Sequence, residues 1–219
     1  MKITWLGHAT VLIEGSKTVL IDPFLTENPS AVKQLGDLPP IDLVICTHDH
    51  FDHSSDLVAV CQQTGATFVG QFDLTERSDI KSSGIKTIGM NIGGTWHGDE
   101  VNVSLTPAFH SCDVGSPTGV VLEMDGYKIY HAGDTALFYD MNLIREMHGP
   151  ISVAMLPIGG HFTMDVNSAS RAAEWLQPRV VIPIHYNTWP QIAADPEQLN
   201  VGSAERVILQ PGNTFTLEN

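Results

Sequence analysis

Six consecutive residues, His48-Asp49-His50-Phe51-Asp52-His53, hold three histidines and three aspartate or aromatic neighbours placed between them. Imidazole nitrogen and carboxylate oxygen together form the donor set that suits zinc, iron or manganese. The spacing matters as much as the residue types. His48 and His50 alternate, so in an extended loop their rings can turn to a common centre. Asp52 and His53 are adjacent and can serve a neighbouring one. Stripped of chemistry, the same run is a polar, solvated loop. Four metal-capable side chains at HxHxDH spacing weigh against that reading.

Such a loop needs a scaffold. The apolar run Leu43-Val44-Ile45-Cys46 leads into it and stops where the polar residues begin, as a buried strand does when it delivers a loop to a sheet end. Four other polar residues have the same context. Asp22 follows Val19-Leu20-Ile21, His110 follows the run 101–109, Asp134 follows 127–133, and His185 follows Val180-Val181-Ile182-Pro183-Ile184. Sites of α/β proteins gather where strand ends meet over a rigid frame. Any one of these residues alone is an ordinary strand-end polar group; together with the His-rich loop they form a candidate set.

Around them, strands are expected over 3–6, 10–14, 18–21, 43–46 and 67–69. A second sheet is expected to begin with 86–92, 95–97 and 101–108, and further strands are expected over 120–124, 128–131, 153–156, 180–184, 206–209 and 214–217. Helices are expected from Ser54-Ser55-Asp56 through about Gln63, over 73–82, 137–147 and 167–176, with Thr163 and Asp165 as caps for the last. Residues 26–40 hold three prolines and read as a loop covering a pocket. Two sets of strands, each with helices, predict an α/β (α+β) fold, a four-layer αβ/βα sandwich formed as one domain over 1–219.

Composition narrows the function. The chain of 219 residues is 42% hydrophobic and 16% charged, enough for a sizeable core. Its net charge of −14 repels a phosphate backbone, so no nucleic-acid partner is expected. Three cysteines, Cys46, Cys61 and Cys112, form no CxxC and no disulfide framework. Reduced thiols and a start without a long apolar run point to the cytoplasm. No stretch approaches the roughly 20 apolar residues that span a bilayer.

The ordered set Asp22, then His48, His50, Asp52 and His53, then His110, Asp134 and His185 resembles the metallo-β-lactamase superfamily, and the likeness runs through most of the chain. The stretches Trp5-Leu6-Gly7-His8-Ala9-Thr10, His131-Ala132-Gly133-Asp134-Thr135, Gly159-Gly160-His161-Phe162-Thr163-Met164 and Pro183-Ile184-His185-Tyr186-Asn187-Thr188-Trp189-Pro190 are similar to small prokaryotic metal-dependent hydrolases. Those are related to L-ascorbate-6-phosphate lactonase and, more distantly, to N-acyl-phosphatidylethanolamine phospholipase D. The resemblance implies a metallo-β-lactamase-like sandwich with two divalent metal ions, zinc first and manganese or iron as alternatives. His48, His50 and His110 would hold one ion, Asp52, His53 and His185 the other, and Asp134 would bridge them. It also implies a small-molecule substrate, a lactone or a phosphoester, and a possible homo-oligomer.

Other roles stay open at the level of sequence. Asp22 either accepts a hydrogen bond from a ligand imidazole or caps the turn before Pro23. His8 and His161 either donate a proton to a leaving group, grip an anionic substrate, or are structural histidines. Redox chemistry is the competing class, because the same fold holds di-iron oxidoreductases and persulfide dioxygenases. The flavin domain usual in the former is missing, and Asp52, His53 and His185 complete the second site that the latter typically lack. A metal-binding protein without turnover is the third reading.

Overall fold

The computed structural model describes residues 1–218, and among these it forms two seven-stranded mixed sheets. The chain first lays down β1 (Lys2–Gly7), β2 (Thr10–Glu14) and β3 (Thr18–Ile21) as an antiparallel meander, then β4 (Leu43–Cys46) parallel to β3. Helices α1 (Phe51–Ser54) and α2 (Leu57–Thr64) lead to β5 (Thr67–Gln71). Helices α3 (Phe72–Thr75) and α4 (Ser78–Ser83) lead to β6 (Thr87–Met90), each new strand parallel to the last.

The second sheet opens antiparallel with β7 (Thr95–His97), β8 (Val101–Pro107), β9 (Thr118–Met124) and β10 (Tyr127–His131). It turns parallel through α5 (Met141–His148), β11 (Val153–Pro157), α6 (Val166–Leu176), β12 (Val180–Ile184) and β13 (Glu205–Arg206). Finally β14 (Thr214–Thr216) returns to pair with β1 on the edge of the first sheet.

The apolar runs of β3, β4 and β5 are continuous because both faces of their sheet are covered. Side chains alternate between the faces. Val19, Ile21, Leu43, Ile45 and Val69 enter the core shared with the second sheet, whereas Leu20, Val44, Cys46 and Phe68 pack under the outer helices. On the far side, Ala169, Ala172, Ala173 and Leu176 of α6 form one small-residue face at helical spacing and are buried on the second sheet. The result is the four-layer αβ/βα sandwich. No helix among the described residues is long and apolar enough to cross a membrane.

Several elements differ from the sequence expectation. The segment 86–92 yields β6 of the first sheet, because the return through α3 and α4 sets it parallel beside β5. The helix expected over 73–82 is two short ones. The Gln71 side chain caps α3 by accepting from Leu74 N, and Arg77 turns extended before α4 begins. Helix begins earlier than 54–56, at Phe51, and Asp56 does not cap α2: its Oδ2 accepts from Leu25 N and Thr26 N at 2.6 and 2.9 Å. Asp165 does cap α6, accepting from Ser168 N at 2.7 Å. The strand expected at 206–209 is confined to Glu205–Arg206. Residues 26–40 do not border the cleft; Ala31, Leu35 and Leu38 pack on the apolar cluster beneath α2 instead.

Candidate metal centre

All the strand-end residues converge on one edge of the sandwich. His8, Asp22 and His185 lie just past β1, β3 and β12, and each has a left-handed backbone, with φ of 57°, 52° and 53°. That conformation stops the strand and swings the side chain out of the pleat, at a cost of roughly 1–3 kcal/mol each. Asp134 is admitted by Gly133, where φ is +61° and a Cβ would stand 2.5 Å from the Thr118 carbonyl oxygen. Gly159 makes room beside His185, where a Cβ would come within 2.6 Å of that residue's carbonyl.

The HxHxDH run is only partly a loop. His48 and His50 are presented by extended chain, and a helical turn starts at Phe51. Successive helical side chains are about 100° apart. Asp52 and His53 therefore turn inward, while Phe51 is sent into the cleft.

Two overlapping groups of donors result. His48 Nε2 lies 3.0 Å from His50 Nδ1, and His110 Nε2 lies 3.3 Å from the same atom. With metal–nitrogen bonds of 2.0–2.1 Å, the edge of a tetrahedron is about 3.3 Å, so these spacings fit one cation. Asp52, His53 and His185 gather beside it, joined by His8, and Asp134 lies near both groups. Asp134 Oδ2 is 3.0 Å from His185 Nε2 and 3.6 Å from His110 Nε2; Oδ1 is 3.4 Å from His53 Nε2.

His53 Nε2, His185 Nε2 and Asp134 Oδ1 are buried, and despite these short separations their angles make no hydrogen bond. Buried polar atoms without partners are costly, and here their lone pairs face one another. Burial alone would lower the pKa of His53, yet Asp134 and Asp22 on either side raise it well above the ordinary imidazole value. The surroundings thus favour positive charge between the carboxylates. Orphaned atoms, tetrahedral spacing and excess negative charge together fit divalent cations.

Asp22 organises the rings from beneath. It is completely buried, and despite the burial His53 keeps its carboxyl below the ordinary range. Its Oδ2 accepts from His53 Nδ1 at 2.7 Å and from Thr47 Oγ1 at 2.8 Å. With that hydroxyl proton given to Asp22, Thr47 Oγ1 accepts from His48 Nδ1 at 3.1 Å. Both rings therefore turn an unprotonated Nε2 toward the centre. Asp49, the other acid of the run, accepts from Asp113 N at 2.9 Å.

His8 and His161 are placed very differently. His8 is fully buried, with Nδ1 2.8 Å from Thr188 Oγ1 and Nε2 3.1 Å from Asp52 Oδ2. Burial, then the neighbouring His185 and His53, holds its pKa at about 4 despite Asp52. It lies behind Asp52 and not on the cleft wall. His161 is exposed, edge-on to Phe162 at 4.5 Å. The cleft above the centre holds about 1040 Å³ and reaches His50, Asp52, His110, Asp134 and His185. Its aromatic lining is Phe51, Phe162 and Trp189; the last two stand in the stretches 159–164 and 183–190 that carry the family resemblance, whereas Phe51 was given no role from sequence. For Phe51 the signal lay in the variable position of the motif itself.

Fold and site define a metallo-hydrolase-like class, and the family described as Beta-lactamase superfamily domain matches residues 17–186. The chain belongs to that superfamily and, within it, to the UPF0173 metal-dependent hydrolases. A metal-dependent hydrolase of this family from Pyrococcus furiosus is 50% identical over 225 residues, covering 99% of this chain and all of the relative. One from Archaeoglobus fulgidus is 41% identical over 231 residues, covering 98% of each. The solved structure of Igni18, a metallo hydrolase from Ignicoccus hospitalis, superimposes with a TM-score of 0.93 at 40% identity, covering all of this chain and 98% of that one.

Proposed function

We propose that this protein is a hydrolase that holds two divalent cations, zinc before manganese or iron, and acts on a small-molecule lactone or phosphoester. The observation that carries this reading is Asp134, whose Oδ2 stands between His110 and His185 while Oδ1 remains unpartnered in the buried floor. His48, His50 and His110 would hold one ion, Asp52, His53 and His185 the other, and Asp134 both. When bound, such ions supply Lewis acidity and a water of lowered pKa.

The chain's own groups do the rest. Asp22 and Thr47 keep His53 and His48 in the tautomer whose Nε2 lone pair is free. His8 restrains Asp52 through the 3.1 Å contact, so it acts through that carboxylate and not on substrate. A leaving alkoxide needs a proton. His161, exposed beside Phe162, is the donor a leaving group projecting from the cleft would meet.

The test is a screen of lactones and phosphoesters with zinc-, manganese- and iron-loaded protein, with metal counted by elemental analysis. Two metals per chain are expected. His50→Ala and Asp134→Ala should each lose about 4 kcal/mol of transition-state stabilisation, roughly 10³-fold in kcat/KM. Unchanged hydrolysis in both variants would overturn the mechanism, and one metal at saturation would overturn the dinuclear reading.

A further inference from the structure

The cleft is lined by two unlike sets of residues. Its apolar lining residues are Phe51, 59% exposed, Phe162, 56% exposed, Val58 and Trp189. The Phe51 ring sits edge-on to Phe24 at 5.7 Å and lies 6.0 Å from Trp189, which is itself 6.2 Å from Phe24. Phe24 is completely buried. The two cleft aromatics are therefore seated on an anchored ring. A single exposed aromatic is unremarkable, but two in mutual contact on an anchored ring beside a candidate reaction centre form a contact surface.

The charged lining residues away from the candidate donors are Asp49, Asp79, Asp113 and Arg77. The Arg77 guanidinium donates from Nε and Nη2 to the two Asp79 oxygens at 2.7 and 2.9 Å, so its charge is already matched. Among the described residues the lining contains no lysine and no other arginine. Recognition of a phosphate or carboxylate tail calls for free cationic donors, and this wall has none to give.

We propose that the cleft takes a neutral ester or lactone whose scissile carbonyl lies over the centre and whose alkyl or aryl tail lies on Phe51 and Trp189. This rests on the hydrolase reading and narrows it, from lactones and phosphoesters to uncharged carbonyl substrates with an apolar tail. Phe51 and Asp52 are neighbours in one helical turn. Tail contact and the reacting end of the cleft thus share one short element.

Binding separates this proposal from turnover. γ-Lactams, unreactive relatives of γ-lactones, are titrated by calorimetry into the metal-loaded protein with a methyl tail, a hexyl tail, or a hexyl tail ending in carboxylate. Burying a methylene favours binding by up to about fourfold, so the hexyl compound should bind at least roughly tenfold tighter than the methyl one. The carboxylate should abolish that gain. In Phe51→Ser and Trp189→Ala, with fold checked by circular dichroism and metal by elemental analysis, the hexyl-to-methyl ratio should fall to about twofold or less. Equal affinities for short and long tails in the native protein, or carboxylate-tailed binding as tight as hexyl, would overturn the proposal. The matching lactones are then assayed for turnover. Tail-dependent lactam binding without hydrolysis of any lactone or ester would sink the hydrolase reading and leave the tail surface standing. Hydrolysis without tail dependence would do the reverse.

Discussion

His131 lies behind the centre, fully buried, with Nε2 3.0 Å from the Ala9 carbonyl and Nδ1 3.1 Å from Gly133 N. A carbonyl can only accept and an amide N–H can only donate. The ring is therefore neutral, with its proton on Nε2, and a second proton on Nδ1 would face the Gly133 N–H. Burial, first of all, holds its pKa below the ordinary imidazole value. The folded-state pKa being depressed, the contribution to stability is complete above about 6.5, the unfolded value, and is lost as pH falls below it. Thermal melts with a chelator present should fall more steeply from pH 7 to pH 5 in the native protein than in His131→Gln; equal slopes would reject this account. Side-chain types and spacing made the candidate set legible at this scale: the 48–53 run, His110, Asp134 and His185 each follow an apolar run, and the fold brings them together. Ring tautomers were not legible, because they depend on Asp22 and Thr47 meeting across 25 residues.

Among elements, β3, β4 and β5 could be read directly, because apolar runs bounded by turn residues have few other uses. The misplacement of β6 had a physical cause: its alternating exposure, with no fully buried position, says nothing about which sheet it joins. The split between α3 and α4 likewise rests on a backbone turn at Arg77, whose φ of −54° and ψ of 137° leave the helical region. Gly133 shows how tightly the ends are fitted. It follows β10, while the Thr118 N–H at the start of β9 donates to the Thr47 carbonyl at 3.0 Å, tying the second sheet to the head of the His-rich run. Gly133→Ala adds a Cβ into the Thr118 carbonyl at positive φ. A loss of roughly 1–3 kcal/mol is expected by chemical denaturation, with weaker metal retention from the displaced Asp134. Wild-type stability in this variant would contradict the close fit.

Across the whole molecule, the candidate donors come from both sheets. The 48–53 run, with Asp22 and His8 behind it, belongs to the first, and His110, Asp134 and His185 to the second. Ligands that bind only the folded state stabilise it by mass action. A site kept at 1,000 times its dissociation constant in free metal contributes about 4 kcal/mol, which for a chain of this size is on the order of 10 °C in Tm. Scanning calorimetry across a series of free-metal concentrations should show Tm climbing with metal; a flat series would mean that the centre does not join the sheets.

The spread of those donors along the chain also has a consequence in time. On a ribosome, His48 is made well over a hundred residues before His185, about ten seconds or more of synthesis. Within that interval His110 and Asp134 appear, so the candidate group His48, His50 and His110 can be complete while the group of Asp52 and His53 still lacks His185. On the proposed two-ion reading, the two positions then mature in sequence, and the one that needs His185 can fill only when the polypeptide is nearly finished.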